Sequence, residues 1–524
     1  MVIKRLLFFF LFPLAVSLHA QSAADFRTTL EKLKLPGITI TEVQDVPAGS
    51  FTINGRVFAD LPAFCRVALT SKPCPESNIR IEVWMPVTNW NARFLGTGNG
   101  GGAGSINHGV LAAGISRGFA TANTDMGTSV GVMNAVGHPE IWKDFGYRAT
   151  HEMTVAAKAV ICAYYKKKIT YSYFSGCSTG GQQSLMEAQR YPDDYDGILA
   201  GAPANNRTHL HASFIWNLQA NNDGGHEIVS KKKMELLSEI VIKNFKAQDC
   251  GAPEDRFLSD PRICTFNPAM LPHCQDTVSD SCFSEAEINA LKKIYRGPVN
   301  PRTGERIYSP LPMGGNKLEN VAPHLYPFFW AFGKDFDYMK FDFDRDMAKA
   351  DSMLAPILNA NNPDLSRLKK SGGKIILYTG TDDQLVLPQD AINYYDRVIE
   401  ELHGLKETQD FFRLFLVPGM GHCGGGRGLN DFGQGIPRKG AADAERDLLT
   451  TLINWVEKGI VPERLVATTF YCCDKADSIR FQRPLFPYPL LPGYTGGDPN
   501  LPSSYQPVAR PAGGVLKPAE VYLR

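Results

Sequence analysis

From residue 79 onward, short runs rich in aromatic and β-branched residues alternate with stretches of helical apolar spacing. This rhythm points to an α/β fold with a mostly parallel sheet. Residues 79–86 (IRIEVWMP) begin by alternating apolar and polar side chains, as a half-buried strand does. Residues 93–95, 119–123, 170–175, 196–200, 374–379 and 411–417 read as further strands. Residues 151–165 place Met153, Ala156, Ala157, Val160, Ile161 and Tyr164 on one helical face. The stretch ending at Tyr191 and residues 390–403 read as helices as well.

The rhythm breaks between about 205 and 350, a stretch with four cysteines, several aromatics and many turn residues, and resumes only afterwards. The expected architecture is therefore a core in two parts, 24–204 and 351–524, with a lid of residues 205–350 inserted before the penultimate core strand. The last 40 or so residues are rich in Pro and Gly and read as ordered coil wrapping the surface.

Composition narrows the function classes. With 44% apolar and 21% charged residues the chain is neither disordered nor collagen-like. Lys+Arg number 55 and Asp+Glu 54, a net charge of +1, so the chain has no electrostatic footprint for nucleic acid or an anionic membrane. Lys4 and Arg5, the short apolar run 6–18 and the small residues Ala20, Ser22, Ala23 and Ala24 read as a cleaved secretory leader, 1–23. The mature protein is expected to be secreted or periplasmic. Eleven cysteines suit an oxidising compartment, and their spacing suggests local loops closed by Cys65–Cys74, Cys250–Cys264 and Cys274–Cys282. No Cys/His cluster has zinc spacing. Asn206-Arg207-Thr208 would be a glycosylation signal in a eukaryote.

The segment G-C-S-T-G at 176–180 fits G-x-S-x-G and falls between a predicted strand and a predicted helix. Glycines there let the backbone turn sharply and lift the Ser178 hydroxyl out of the sheet. A serine hydroxyl needs a base to take its proton. His422 follows the strand 411–417, within P-G-M-G-H-C, and is the candidate base. The loop after 374–379 offers Asp382 and Asp383 as the acid that orients a histidine. The order Ser, Asp, His is that of α/β-hydrolases. Cys177 precedes Ser178 and Cys423 follows His422, so if serine and histidine meet, a disulfide between these neighbours would tie the two loops together. An oxyanion hole needs backbone N–H donors. The amide of Thr179 is one candidate, and Gly100 or Gly101 in the early N-G-G-G loop supplies the other.

At these residues the chain resembles the tannase and feruloyl esterase family. The resemblance rests on L-P-A-F-C-R-V at 61–67, G-N-G-G-G-A-G at 98–104, A-T-A-N-T-D at 120–125, Y-F-S-G-C-S-T-G-G-Q-Q at 173–183, G-M-G-H-C at 419–423 and R-P-L-F-P-Y-P at 483–489. It implies an α/β-hydrolase fold and a triad of Ser178, Asp383 (rather than Asp382) and His422. It further implies hydrolysis of aromatic-acid esters without an organic cofactor, feruloyl esters first, with galloyl and terephthaloyl esters as alternatives. The lid would help bind the aromatic acid, with Phe329 and Trp330 as candidate contacts among Tyr326, Phe328 and Phe332. Members often hold calcium in a lid loop between two cysteines. Here that loop, 250–264, is shortened and keeps only Asp255 and Asp260, so no metal is expected. Phe486 stands where the family usually has cysteine, Cys472 and Cys473 read as a local substitute, and Cys162 as a buried thiol. Residues 317–340 contain no arginine to hold a terephthalate carboxylate. A reading from another class, a hydrolase-fold protein that binds phenolics without turnover, would be marked by a broken triad, which this sequence does not show.

Overall fold

The computed structural model describes residues 23–33, 35–129, 131–275, 279–435, 443–471, 478–509 and 516–524. The expected leader lies outside the described residues apart from Ala23, and Cys472 and Cys473 lie outside them entirely. Among the described residues no helix is long and apolar enough to cross a membrane.

Nine strands form one sheet: β1 (Ile38–Val46), β2 (Phe64–Ser71), β3 (Ile79–Pro86), β4 (Arg93–Thr97), β5 (Ala120–Thr124), β6 (Tyr171–Cys177), β7 (Gly197–Gly201), β8 (Lys374–Gly380) and β9 (Phe412–Val417). Their order is β1-β2-β3-β5-β4-β6-β7-β8-β9. The first three strands pair antiparallel, β3 meets β5 antiparallel, and from β5 to β9 every pairing is parallel. Helices α1 (His108–Ser116), α2 (Ala149–Tyr165), α3 (Thr179–Arg190), α5 (Pro388–Glu401) and α6 (Leu448–Lys458) pack on this sheet, with a further helix, Ala23–Glu31, against β1, while α4 (Arg207–Ala220) leads away from it. This is an α/β-hydrolase fold.

Three of the parallel strands, β5, β7 and β9, are buried along their whole length. Strands covered on both faces read as continuous apolar runs, which is why F-R-L-F-L-V and K-I-I-L-Y-T stand out in the sequence. The chain leaves β4 to form β5 on one side and β6 on the other, so a crevice opens at the carboxyl ends of β4 and β6. Strand β9 lies at the end of the sheet order, where an unpaired edge invites association. The C-terminal segment covers it: Tyr488 donates its N–H to Leu414 at 2.7 Å, and Phe415 bridges to Pro487.

Between β7 and β8, helices at Lys231–Phe245, Glu285–Arg296, Tyr326–Phe332 and Arg345–Leu358 join α4 around a second apolar core. That core also takes in Met126, Ala135, Trp142 and Phe145 from the connection after β5, and Val386 and Leu387 from the one after β8. These attachments are not legible in the sequence, because their apolar residues follow no strand or helix period.

The cysteine pairings are only partly as expected. Cys274–Cys282 forms, with Cα atoms 5.0 Å apart. Cys65 and Cys74 keep free thiols. Cys65 lies near the start of β2 and Cys74 beyond its end, and six residues of strand rise roughly 20 Å, far past the reach of a disulfide. Cys264 is also a free thiol, so the 250–264 bridge is absent; Cys250 packs in the core of the sheet and Cys264 against the second core. Cys162 is free and half-buried rather than buried. The C-terminal stretch is not all coil: Leu465–Phe470 pairs with Ile479–Leu485, and Leu490–Tyr494 with Tyr505–Ala509. Asn206 is 1% exposed and donates to the Tyr522 carbonyl, so it is no glycan acceptor.

Candidate active site

Ser178 occupies the single residue between β6 and α3, with φ 65° and ψ −119°. A non-glycine residue adopts such angles at a cost of roughly 1–3 kcal/mol, and only where its surroundings fix them. Three glycines make room. A Cβ on Gly176 would lie 2.7 Å from Gly180 Cα, one on Gly181 would lie 2.3 Å from the Gly201 oxygen, and one on Gly98 would lie 2.6 Å from Gly180 Cα. The corner is then pinned by backbone bonds, from Ser178 N–H to the Gly201 oxygen at 2.9 Å and from Gly180 N–H to the Asn99 oxygen at 2.7 Å.

The second bond joins the corner to the loop that follows β4. Asn99 fixes that loop from within, donating its side-chain amide to the Thr124 oxygen at 2.8 Å, while its N–H meets Gln183 Oε1 at 2.8 Å. Gly100 and Gly101 border open space, where a Cβ on either would meet no atom within 4 Å. Thr179 donates its hydroxyl to the Gly101 oxygen at 2.7 Å. Thr179, Gly100 and Gly101 are thus neighbours across the crevice at the carboxyl ends of β4 and β6.

Asp383 follows β8 and is fully buried. One of its oxygens accepts the N–H groups of Leu385 and Val386, both at 2.9 Å, and the other lies 2.8 Å from His422 Nδ1. His422 follows β9. The loops after β8 and β9 touch, since Asp382 N–H donates to the Met420 oxygen at 3.0 Å and a Cβ on Gly380 would sit 2.2 Å from that oxygen. Asp382 points elsewhere, toward Arg427 at 3.7 Å, and burial pushes its carboxyl up to about 6. Burial works to lower the His422 pKa, but the charge and hydrogen bond of Asp383 outweigh it and hold the imidazole above its ordinary 6.5.

Cys177 and Cys423 are joined by a disulfide, Cα to Cα 6.0 Å, across 246 positions of sequence. The residues next to them, Ser178 and His422, are thereby held on facing loops. His422 Nδ1 is engaged by Asp383, which leaves Nε2 as the ring nitrogen for a nucleophile; among the described residues Nε2 lies 3.7 Å from the Cys423 sulfur and makes no bond to the Ser178 hydroxyl. Catalytic hydrogen bonds often tighten only when substrate is bound.

The lid aromatics divide. Trp330 is 2% exposed, donates its N–H to the Val132 oxygen at 2.7 Å and stacks on Trp142, so it is core packing with no face left for a ligand. Phe329 is half-buried and lies edge-on to Phe336. Tyr326, also buried, reaches the Gly101 oxygen at 3.1 Å through its hydroxyl. Arg207, at the start of α4, was not foreseen; it bonds Tyr326 and Thr179 and is the only charged side chain among these contacts.

The loop 249–264 does not fit a calcium ion. Arg483 donates to both oxygens of Asp255, Lys246 lies 3.2 Å from Asp249, and Arg262 lies 2.7 Å from Asp260. Each of these three aspartates already has a cationic partner, where calcium needs six to eight oxygens. A different group, His151 of α2, Glu187 of α3 and Asp194, brings donor atoms within 4.8 Å of one another. Lys158 already sets positive charge there, 3.9 Å from Asp194.

Known proteins resemble this chain along most of its length. A family model described as "Tannase and feruloyl esterase" matches residues 65–334 and 326–508. An uncharacterised esterase of Xanthomonas campestris is 36% identical over 516 residues, covering 90% of this chain and 89% of the relative. A probable feruloyl esterase of Arthroderma benhamiae is 33% identical over 465 residues, covering 81% of this chain and 82% of the relative. The crystal structure of feruloyl esterase B from Aspergillus oryzae superposes with a TM-score of 0.84 at 26% identity, covering 93% of this chain and 100% of that one. The chain belongs to the tannase and feruloyl esterase family and is a carboxylic ester hydrolase.

Proposed function

We propose that the protein is an exported serine esterase that cleaves esters of aromatic acids, feruloyl esters foremost, through Ser178, His422 and Asp383. The observation that carries this reading is the strained Ser178, φ 65° and ψ −119°, disulfide-linked through its neighbour to the loop of a histidine that lies 2.8 Å from a buried carboxylate. The relatives named as feruloyl esterases support the substrate class. Galloyl and other aromatic acids remain the competitors within the family.

In this mechanism Ser178 Oγ attacks the ester carbonyl carbon as His422 Nε2 takes its proton. The carbonyl oxygen becomes an oxyanion held by the Thr179 amide and an amide of Gly100 or Gly101. The tetrahedral centre collapses, His422 returns the proton to the departing alcohol, and an acyl-enzyme remains. Water attacks that ester, again with His422 as base, and frees the acid and Ser178. Asp383 keeps the His422 proton on Nδ1 and offsets the positive charge that the ring acquires. The chemistry uses no organic cofactor, and Arg483 and Lys246 give the 249–264 loop the positive charge that a cation would otherwise bring.

Ser178→Ala is the direct test. Turnover of methyl ferulate should be abolished with the fold retained, and a fluorophosphonate should label the native protein one-to-one and the variant not at all. Residual turnover at the native rate would refute the assignment. Comparing kcat/KM across methyl ferulate, methyl caffeate, methyl gallate and a terephthalate monoester fixes the acid, and a gallate preference would replace feruloyl esterase by tannase.

A further inference from the structure

We infer that Arg207 is the positioning residue of the oxyanion hole: it fixes Thr179 and the Gly101 peptide with one guanidinium. This rests on the reading of Ser178 as nucleophile. Arg207 is 2% exposed, yet among the described residues it makes no ion pair with a carboxylate. Buried guanidinium groups are normally paired, because moving one out of water is costly without an opposite charge. Here the partners are two hydroxyls and a ring. Nη1 donates to Tyr326 Oη at 2.8 Å, Nη2 donates to Thr179 Oγ1 at 2.9 Å, and the guanidinium carbon stands 5.2 Å from the Phe145 ring centroid. Nε has no partner.

The direction of these bonds decides the rest. A guanidinium only donates, so both hydroxyls must accept from it and turn their own protons elsewhere. Both turn to the same atom. Thr179 donates to the Gly101 oxygen at 2.7 Å, and Tyr326 donates to it at 3.1 Å. The carbonyl so gripped fixes the plane of the 101–102 peptide, and through it the loop that supplies the second oxyanion donor. Thr179 is itself the residue whose amide supplies the first. This side chain therefore registers both halves of the hole against each other, adding to the β4–β6 pairing and the Gly180–Asn99 backbone bond a link that reaches the Gly101 peptide itself.

The uncompensated charge acts in the same direction. Charge developing on a substrate oxygen near Thr179 is attracted to a fixed cation in a dry setting. The neighbouring imidazole of His211 does not compete for that role, because burial and the charge of Arg207 hold it neutral.

The experiment measures kcat and KM separately, with thermal stability, for Arg207→Met, Arg207→Lys and Thr179→Val on the best substrate of the aromatic ester panel. Displacement of a donor by about 1 Å costs roughly 100-fold in rate, so Arg207→Met should lose about that in kcat with KM little changed. Arg207→Lys keeps the charge but cannot bridge two hydroxyls, and should recover only part of the loss. Thr179→Val should lose a similar factor, and the double variant Arg207→Met with Thr179→Val should lose little more than either alone, since both break one network. Native kcat in Arg207→Met, or a rise in KM alone, overturns the proposal. Strictly additive losses in the double variant overturn it too. If Arg207→Met does not fold, the Thr179→Val and Arg207→Lys results decide by the same criteria. Failure of the underlying reading looks different: Ser178→Ala would then turn over substrate like the native enzyme, whatever Arg207 does.

Discussion

Arg483 donates to both oxygens of Asp255, at 2.6 and 2.5 Å, and both side chains are 4% exposed. Lys246 adds a second positive charge 3.6 Å from the same carboxylate. Removing one partner of a buried pair leaves the other charge uncompensated, at a cost of about 3–5 kcal/mol. Arg483→Met should lower stability by that amount in denaturant unfolding, whereas a chelator should leave the native protein's melting temperature unchanged. A large drop in melting temperature on chelation would show that this loop depends on a metal after all.

The Cys177–Cys423 bond closes a loop of 246 residues, for which chain entropy alone predicts roughly 5 kcal/mol of stabilisation. It also fixes the distance between the nucleophile corner and the histidine loop. Replacing both cysteines by alanine should lower the melting temperature and reduce kcat more than it raises KM. Peptide mapping without reduction should recover the two segments as one cross-linked species; recovery of both thiols alkylated would exclude the bond.

His422 is held above its ordinary 6.5, and two opposite pH trends follow. The imidazole must be neutral to act as base, so kcat/KM should rise with pH through that raised value and level off above it. A folded pKa above the unfolded one means that the protonated ring favours the native state. That contribution to stability is fully present below about 6.5 and is lost as pH rises through the folded value. Asp383→Asn should bring the activity limb to lower pH and reduce kcat by roughly 10⁴-fold. Asp382→Asn, beside it but turned to Arg427, should keep kcat within a small factor.

Two glycines near the site should behave in opposite ways. Gly181→Ala places a methyl group 2.3 Å from the Gly201 oxygen and 2.7 Å from Pro203 Cα, with only backbone to give way. It should destabilise the protein by several degrees or prevent folding. Gly100→Ala meets no atom within 4 Å. Its melting temperature should match the native protein's, and any loss should appear in turnover alone. Thermal denaturation of the two variants side by side checks both outcomes.

Much of the fold was legible because buried parallel strands are written as unbroken apolar runs, as in 374–379 and 411–417. Strands β1 and β2 were not. β1 alternates polar residues on an exposed face, and β2 carries Arg66, whose burial is made tolerable by Glu82, 16 positions on. The triad candidates could be read because each follows directly after a core strand. Arg207 follows β7 on the same edge, but a lone arginine in N-N-R-T has no motif to mark it, and only its buried partners give it meaning. Cys274–Cys282 pairs as its spacing suggests, whereas Cys65–Cys74 does not, because spacing alone does not show that an extended strand lies between those two thiols.

The second apolar core contains Val386 and Leu387, three and four residues beyond Asp383, and Val386 N–H is itself one of the donors to that carboxylate. Repacking this core to admit a bulkier acid would therefore disturb the footing of Asp383, the carboxylate that steadies the base in the proposed mechanism. Directed evolution of this scaffold for new acyl groups should find selectivity and speed coupled, with improvements in one repeatedly requiring repair of the other at positions 385–387.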